Sequence, residues 1–368
     1  MQSCYRAFIN LITVQQVMSK KHLYILLLAM FGITACKKSG APHIDPVKPP
    51  GVDVYVAGNV EGDDINSVQL ATYWKNGVPV VLPNSLSNLG STAFGIAIHD
   101  TDVYVVGRTL MGDHFVATYW KNGQAVKLAD SESSANAIAI NGDDVYIAGL
   151  VTPTTLHRKA TYWKNGVATI IPPTTETAAT EAKAIAVSGN DVYMAGNTYD
   201  LGLDQATYWK NGVATVLQNT PSISSLANGI AVNGTDVYVV GLVTTQYSTA
   251  KVATVWKNGT ATSLTDGTGL SVANSIAING ADVYIAGYIN GEVALWKNGK
   301  ATVLNNGASN QQTISLLNAV ALHGNDVFVS GGYLFSTGYG NSVYWRNGLP
   351  VNLPNGLTGT TTITVVSK

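Results

Sequence analysis

The sequence predicts an all-β fold, a seven-bladed β-propeller with four antiparallel strands in each blade. Two short motifs each recur seven times between residues 51 and 368. Their mean spacing of about 45 residues is typical of propeller blades. Asn-Gly dipeptides, the strongest short hairpin signal, separate strand-like runs within the units. The first unit lacks one strand and the last has a surplus strand, which predicts a ring closed by both chain ends.

The two motifs locate the second and third strands of every unit. The first reads Asp-Val-Tyr followed by apolar residues and Gly, with Phe328 for Tyr in its last copy. Its copies begin at Asp53, Asp102, Asp144, Asp191, Asp236, Asp282 and Asp326. The second reads Trp-Lys-Asn-Gly, with Arg346 for Lys in its last copy. Its copies begin at Trp74, Trp120, Trp163, Trp209, Trp256, Trp296 and Trp345, all the tryptophans of the chain. A residue present in every blade is expected to serve the scaffold, with tryptophans packing blade against blade.

The third unit shows the four strands of one blade. Strand-like runs lie at 135–140, 145–148, 160–163 and 167–170. The last two runs are joined by Asn165-Gly166, a pair that tolerates positive φ at both positions. Four antiparallel strands in about 45 residues make one propeller blade.

The two ends of the repeat region are complementary. Residues 51–52 lead straight into Asp53, so the first unit has no innermost strand of its own. Residues 361–366 form an extra strand-like run after the last unit. We therefore expect the C-terminal strand to complete the first blade, which closes the ring and removes open sheet edges.

Composition excludes several classes of function. The formal net charge is −1 and 12% of residues are charged, whereas a nucleic-acid-binding protein carries a basic excess. The two cysteines, Cys4 and Cys36, both precede the repeats. The repeat region therefore forms no internal disulfide and no thiolate metal site, and no cofactor is predicted.

The N-terminal residues have the pattern of a targeting segment. Lys20 and Lys21 precede an apolar run at 23–31, too short to span a membrane and typical of a signal peptide. The run ends in Ile-Thr-Ala-Cys at 33–36, which resembles a bacterial lipobox and implies lipidation of Cys36. The alternative is an ordinary cleaved signal peptide with an unrelated cysteine.

The expected organisation has three parts. Residues 1–35 form a signal peptide that is removed, with Met18 an alternative start. Residues 36–50 hold the lipidated cysteine and a proline-rich flexible tether, and 51–368 form the propeller. By resemblance to Gram-negative lipoproteins, Lys37 after the cysteine implies an outer-membrane lipoprotein of the cell envelope, either periplasmic or surface-exposed.

The repeat also resembles the HAF-type repeats of secreted bacterial propellers. The shared pattern is an Ala…Trp-x-Asn/Gly stretch and a Leu, followed by Ala-Ile-Asn and Val-Gly. The resemblance covers 51–368 loosely and implies a propeller fold and secretion. It transfers no catalytic residue.

Residues that are not repeated mark a candidate functional face. Chain direction places the Asn-Gly turns on one side of the ring, the tight-turn face. It places the interblade connections and those between second and third strands on the other, the long-loop face, where binding is expected. The residues that open the innermost strands should surround the channel on that face and are called the channel-mouth ring. They are Phe94, Asn136, Lys183, Asn228, Asn274, Asn318 and Thr361. Their four amides suit a sugar, a water cluster or a cation, or simply suit strand entry.

Two further sets of residues are candidates on the long-loop face. Exposed tyrosines favour carbohydrate or protein ligands, although local loop packing is the alternative. The tyrosines expected in these loops are Tyr199, Tyr247, Tyr288, Tyr333 and Tyr339. Asp64, Asp113 and His114 form a weak candidate for a divalent-metal site, since loop acids are more often only solvated.

These observations favour a non-catalytic binding or scaffolding propeller with a carbohydrate or envelope-protein ligand. The alternative is a hydrolase or lyase acting in the channel mouth, which needs a general acid and base near a substrate. The innermost strands are expected to offer Lys183 as their sole ionisable residue, which weakens that alternative. A third hypothesis is a subunit of a larger envelope assembly that uses the ring as a docking platform.

Overall fold

The computed structural model describes most of the repeat region. The described residues are 51–61, 68–83, 86, 89–153, 157–217, 223–244, 250–304, 319–334, 340–354, 356 and 362–368. The signal peptide, Cys36 and the tether lie outside these ranges. Secondary structure in the described ranges consists of strands, and no helix there is long and apolar enough to cross a membrane.

The described residues form 28 strands in seven four-stranded antiparallel sheets. In chain order the strands are β1 (Val52–Glu61), β2 (Gln69–Lys75), β3 (Val78–Val81), β4 (Ser91–His99), β5 (Asp102–Met111), β6 (His114–Lys121), β7 (Gln124–Lys127), β8 (Ser133–Asn141), β9 (Asp144–Val151), β10 (Lys159–Lys164), β11 (Val167–Ile170), β12 (Ala179–Ser188), β13 (Asp191–Asp200), β14 (Leu203–Lys210), β15 (Val213–Val216), β16 (Ser225–Asn233), β17 (Asp236–Thr244), β18 (Lys251–Lys257), β19 (Thr260–Ser263), β20 (Ser271–Asn279), β21 (Asp282–Ile289), β22 (Glu292–Lys297), β23 (Lys300–Val303), β24 (Ala319–His323), β25 (Asp326–Leu334), β26 (Gly340–Arg346), β27 (Leu349–Leu353) and β28 (Thr362–Ser367).

The sheets are the blades of a seven-bladed propeller, as predicted. Six blades consist of four consecutive strands, from β4–β7 in the second blade to β24–β27 in the seventh. The first blade has the order β28-β1-β2-β3, and its register runs from Val52 opposite Ser367 to Ala57 opposite Thr362. The C-terminal strand therefore closes the ring, which confirms that prediction.

Turn chemistry explains the hairpins on the tight-turn face. Asn165 has φ 51° and Gly166 has φ 84°, the paired positive angles of a two-residue hairpin. The opposite face was expected to consist of long connections, but some of its connections are short. Leu201-Gly202 and Asn290-Gly291 join second and third strands there through short turns with positive φ.

The tryptophans bind neighbouring blades together. All seven side chains are buried. Trp163 Nε1 donates to the carbonyl oxygen of Leu128 in the preceding blade at 3.1 Å. Trp74 Nε1 donates to the carbonyl oxygen of Pro354 at 2.9 Å, which links the first blade to the last. Each indole thus contributes apolar burial, and these two also satisfy a carbonyl of the neighbouring blade.

Hydroxyl groups near the start of the innermost strands form a second link between blades. Ser133 Oγ accepts a hydrogen bond from Ala117 N of the preceding blade at 2.8 Å. The corresponding acceptors elsewhere are Ser91, Thr180, Ser225 and Ser271, with donors Ala71, Ala160, Ala206 and Ala253.

The repeated charges are paired within each blade. In the third blade Lys164 Nζ lies 2.7 Å from Asp144 Oδ2 and 5.1 Å from the centre of the Tyr146 ring. Asn165 Nδ2 donates to Asp144 Oδ1 at 2.7 Å, while Asn165 Oδ1 accepts the backbone N–H of Val145 at 2.8 Å. The turn asparagine, and not the aspartate, thus accepts the backbone N–H of the residue that follows the aspartate. The basic residue of this motif pairs with the aspartate of the first motif in all seven blades.

Candidate functional site

A β-bulge in each innermost strand of the second to sixth blades places the channel-mouth ring. In the third blade the pairing of β8 with β9 is interrupted between Ala135 and Ala137, so Asn136 is the extra residue. The other bulged residues are Phe94, Lys183, Asn228 and Asn274. These strands begin three or four residues earlier. The ring residues were expected to open the innermost strands, but they lie inside them. Asn318 and Thr361 lie outside the described residues.

The repeated glycine of the first motif makes room for the bulge. A Cβ built on Gly149 would lie 1.9 Å from the carbonyl oxygen of Ser134 in the neighbouring strand. Gly107, Gly196, Gly241 and Gly287 show the same close approach, at 1.8–1.9 Å. Glycine at this position therefore lets the innermost strand bulge.

The bulged residues line one cavity of about 610 Å³ at the long-loop end of the channel. One isoleucine from each of the second to sixth blades also lines it. Its charged lining residues all come from one side, the second to fourth blades: Arg108, Glu132, Arg158, Glu181 and Lys183. We call this space the mouth cavity. It has an apolar wall, an amide side and a charged side.

The Arg108 guanidinium lies over two aromatic rings. Its guanidinium carbon lies 4.0 Å from the centre of the Phe115 ring and 5.4 Å from that of Phe94. The side chain is half-buried, and its Nε is buried without a hydrogen-bond partner. Burial lowers the pKa of Arg108 below its ordinary value, although Glu132 and Glu181 oppose this. Arginine nevertheless stays charged in proteins.

Lys183 is the bulged residue of the fourth blade. Burial lowers the pKa of its amine, opposed by the nearby carboxylates of Glu181 and Asp204 and reinforced by Arg158. No hydrogen bond or ion pair links its ammonium to another described residue. Lys183 thus places an amine in the cavity wall without a hydrogen-bond or ion-pair partner among the described residues.

Glu181 and Asn136 are joined in a small polar network. Arg158 Nη1 lies 3.5 Å from Glu181 Oε2. Asn136 Nδ2 donates to Glu181 Oε1 at 3.3 Å and to the carbonyl of Ala182 at 2.9 Å. Ser134 Oγ donates to Asn136 Oδ1 at 2.6 Å. Similarly, Asn228 Nδ2 donates to the carbonyl of Ala273 in the next blade at 3.1 Å, so the ring amides also join blades.

The carboxylates of the cavity are what sequence reasoning missed. Glu181 lies within β12, so the expectation that Lys183 is the sole ionisable residue of the innermost strands is wrong. Glu132 directly precedes β8. Glu181 lies two residues before Lys183, and Glu132 lies four residues before Asn136. Predicting that the innermost strands begin a few residues earlier would have placed both carboxylates at the channel.

Two of the candidate tyrosines, Tyr199 and Tyr288, lie apart from the mouth cavity. Tyr199, with 45% of its surface exposed, ends β13, and Tyr288 is half-buried in β21, where burial raises its pKa. Tyr333 lies in β25. All three were expected in loops but belong to second strands. Tyr247 and Tyr339 lie outside the described residues. Neither Tyr199 nor Tyr288 lines the cavity.

The weak metal candidate is only partly described. Asp113 Oδ1 lies 3.0 Å from His114 Nδ1, which lowers the pKa of Asp113 and raises that of His114. His114 Nε2 lies 3.3 Å from the carbonyl oxygen of Asp130, so both ring nitrogens have partners. Asp64 lies outside the described residues. Within the described ranges, no three His, Cys, Asp or Glu side chains are grouped to hold a metal.

Comparisons with known proteins concern the fold. No family model and no curated protein matches the chain. Among solved structures, one from a study of two prolyl endopeptidases has a TM-score of 0.50 at 11% identity, covering 86% of this chain and 50% of that one. Acylaminoacyl peptidase from Pyrococcus horikoshii has a TM-score of 0.48 at 13% identity, covering 84% and 52%. The β-propeller domain of the Trilobed protease from Pyrococcus furiosus has a TM-score of 0.49 at 12% identity, and the match covers 82% of this chain and 92% of that domain.

These likenesses have a limited meaning. The chain spans about half the length of the first two peptidase chains. At 11% identity, the likeness to the structure from the prolyl endopeptidase study shows a shared fold alone, over the matched half of that chain.

Proposed function

We propose that this chain is a non-catalytic binding module of the cell envelope that captures a carbohydrate in the mouth cavity. The observation that carries the proposal is the cavity itself, about 610 Å³, within the size range of small-ligand pockets. Ring amides and half-buried aromatic residues share its wall. Sugars are bound by such combinations, because hydroxyl groups need hydrogen-bond partners and the sugar face packs on aromatic rings.

The proposal includes a lipid anchor at Cys36. Its support is the sequence: a short apolar run ending in a lipobox-like segment, then a proline-rich stretch of about 15 residues. Fully extended, that stretch reaches roughly 45–50 Å, enough to hold the propeller clear of an outer membrane. If Cys36 is lipidated, a Cys36→Ser variant moves from the membrane fraction to the soluble fraction. An unchanged distribution would contradict the anchor.

The carbohydrate proposal is tested on a glycan array with the full chain and two variants. Asn274→Ala changes the mouth cavity, whereas the double change Tyr199→Ala with Tyr288→Ala changes the long-loop face outside it. We expect the full chain to bind a subset of glycans, Asn274→Ala to lose that binding and the tyrosine variant to retain it. Loss only in the tyrosine variant would move the site to the outer loops. No binding by the full chain would reject carbohydrate capture and favour a protein ligand, to be sought by pull-down from envelope extract.

The alternative function is a hydrolase or lyase acting in the same cavity. The observation that favours it is Lys183 in the cavity wall close to the Glu181 carboxylate, because burial lowers the pKa of the Lys183 amine, which is the direction that a general base requires. Its test is prolonged incubation of the full chain with each glycan that it binds. New reducing ends or unsaturated products that Lys183→Met abolishes would establish the enzyme. Bound glycans recovered intact would exclude it for those ligands.

A further inference from the structure

We infer that the ligand of the mouth cavity carries an anionic group, a carboxylate or a phosphate, held between Arg108 and Lys183. This rests on the proposed function and names the chemical class of its ligand. Some charged groups around the cavity are bonded within the protein, and others are left open to a ligand.

Arg108 offers hydrogen-bond donors that the protein does not use. A guanidinium carries five N–H groups in one plane, and its faces pack against aromatic rings. Here the guanidinium carbon lies over the rings of Phe115 and Phe94, at 4.0 and 5.4 Å from their centres. No hydrogen bond joins Arg108 to another described residue, and its Nε is buried without a partner. The aromatic contacts therefore fix the group in place while its N–H edge stays available for a planar or tetrahedral anion.

Lys183 adds a second unpaired cation two blades further on. Its ammonium has three donors, none bonded to a described residue. Withdrawing a cation from water without a partner is unfavourable. The scaffold does not require a cation at the bulged position, because Phe or Asn occupies that position in the other four bulged blades. An anionic ligand would supply the missing partner.

The carboxylates of the cavity do not neutralise these two cations. Three cationic side chains line the cavity against two carboxylates, among the described residues. Glu181 is engaged by Arg158 at 3.5 Å and by Asn136 at 3.3 Å. Glu132 is exposed to solvent, where its charge is screened. Asp204, outside the cavity lining, also acts on Lys183. No hydrogen bond or ion pair joins any of these carboxylates to Arg108 or Lys183, so the N–H donors of both cations remain open to a ligand on this side of the cavity.

The asymmetry of the cavity predicts how the ligand lies. The anionic group faces Arg108 and Lys183. The rest of the ligand extends towards Asn228 and Asn274 of the fifth and sixth blades, where amide groups suit hydroxyls. An acidic sugar, such as a uronic acid or a sugar phosphate, has this division between one charged end and several hydroxyls.

The test uses three hexoses that differ in charge: glucose, glucuronate and glucose 6-phosphate. Affinities are measured by calorimetry at constant ionic strength with the full chain. The variants are Arg108→Met and Lys183→Met, with Lys183→Arg to restore the charge. Lys159→Met is the matched control, since Lys159 begins β10 on the same face but does not line the cavity. Melting curves verify that each variant is folded.

We expect the full chain to bind one or both anionic hexoses at least tenfold more tightly than glucose. Lys183→Met and Arg108→Met lose that preference, Lys183→Arg recovers part of it, and Lys159→Met keeps it. Glucuronate and glucose 6-phosphate distinguish a carboxylate ligand from a phosphate ligand. Equal affinity for all three hexoses would overturn the inference and leave carbohydrate capture standing. So would a preference that survives Lys183→Met.

Two simple anions separate failure of this inference from failure of the proposed function. Acetate and inorganic phosphate are titrated into the full chain and into Lys183→Met, with chloride as the reference. If no hexose binds but either anion raises the melting temperature of the full chain alone, the anion site stands and carbohydrate capture is rejected. If neither hexoses nor these anions bind, both are rejected.

Discussion

The repeated glycine of the second strand is required because a neighbouring backbone lies too close for any side chain. A Cβ on Gly149 would lie 1.9 Å from the Ser134 carbonyl oxygen, well inside van der Waals contact. We expect Gly149→Ala to lower the free energy of unfolding by about 1–3 kcal/mol, because β8 must shift. Denaturant unfolding measures this. Gly142→Asn is the control: φ is +58° there, the space is open, and asparagine tolerates that angle. Equal effects of the two changes would contradict the explanation.

A single tryptophan contributes through both burial and its hydrogen bond. Trp163 is fully buried. We expect Trp163→Ala to cost about 3–5 kcal/mol of unfolding free energy, measured by denaturant titration, because it leaves a large cavity between blades.

Phenylalanine variants separate the two contributions of tryptophan. Trp163→Phe removes the bond to the Leu128 carbonyl, whereas Trp256 Nε1 is buried without a hydrogen-bond partner among the described residues. We expect Trp163→Phe to destabilise the chain by about 0.5–1.5 kcal/mol more than Trp256→Phe. Indistinguishable losses would show that the indole hydrogen bond is unimportant.

At the scale of the element, β28 is the strand whose removal opens the ring. It pairs with β1 over six residue pairs, and Ile363 is buried against the first and last blades. Deleting residues 361–368 exposes the edge of β1 and the apolar gap beneath it. We expect aggregation or a large fall in melting temperature, measured by differential scanning calorimetry with light scattering.

The control for this deletion keeps the strand. Ending the chain at Val366 retains the pairs from Asp53 opposite Val366 to Ala57 opposite Thr362. This shorter chain should melt within a few degrees of the full chain, since a small change in stability shifts the melting temperature little. An unchanged melting curve for the longer deletion would reject closure by β28.

At the scale of the whole molecule, the repeated ion pairs predict how stability depends on pH. Hydrogen bonds from the paired lysine or arginine and from the turn asparagine lower the pKa of six repeated carboxyl groups below the ordinary 3.8. They are Asp102, Asp144, Asp191, Asp236, Asp282 and Asp326. A carboxyl group with a lowered folded-state pKa stabilises the fold above its unfolded value, and that stability is lost as pH falls through the folded value.

We therefore expect titration of these carboxyl groups to leave the melting temperature unchanged between neutral pH and about pH 5. At pH values under about 4 their protonation should lower the melting temperature. The lysine partners have raised pKa values, so their contribution is complete below 10.5 and is lost only in strong alkali. Calorimetric scans between pH 2.5 and 7 measure the acid limb, with the pH-dependent slope expected to be shallower at high salt. A melting temperature that stays flat to about pH 3 would contradict the prediction.

Local sequence signals were sufficient for the architecture because they recur in every blade. The Asn-Gly pair at 165–166 specifies a hairpin by its φ angles, and Trp163 specifies a buried third strand. The channel-mouth residues could be named because the innermost strand was recognisable. Their bulged geometry could not be predicted, since a bulge depends on the approach of the neighbouring strand to Gly149.

The sequence by itself determined seven blades, four strands in each, and closure by the C-terminal strand, because periodicity and hairpin chemistry are local and repeated. Only the tertiary structure decided which unrepeated charges meet. Arg108, Glu132, Arg158, Glu181 and Lys183 come from three blades and different strand positions, and they converge because the long-loop ends of successive blades face one channel. Their pairing also depends on burial and distance: Arg158 reaches Glu181, whereas aromatic rings hold Arg108 and the bulge directs Lys183 into the cavity.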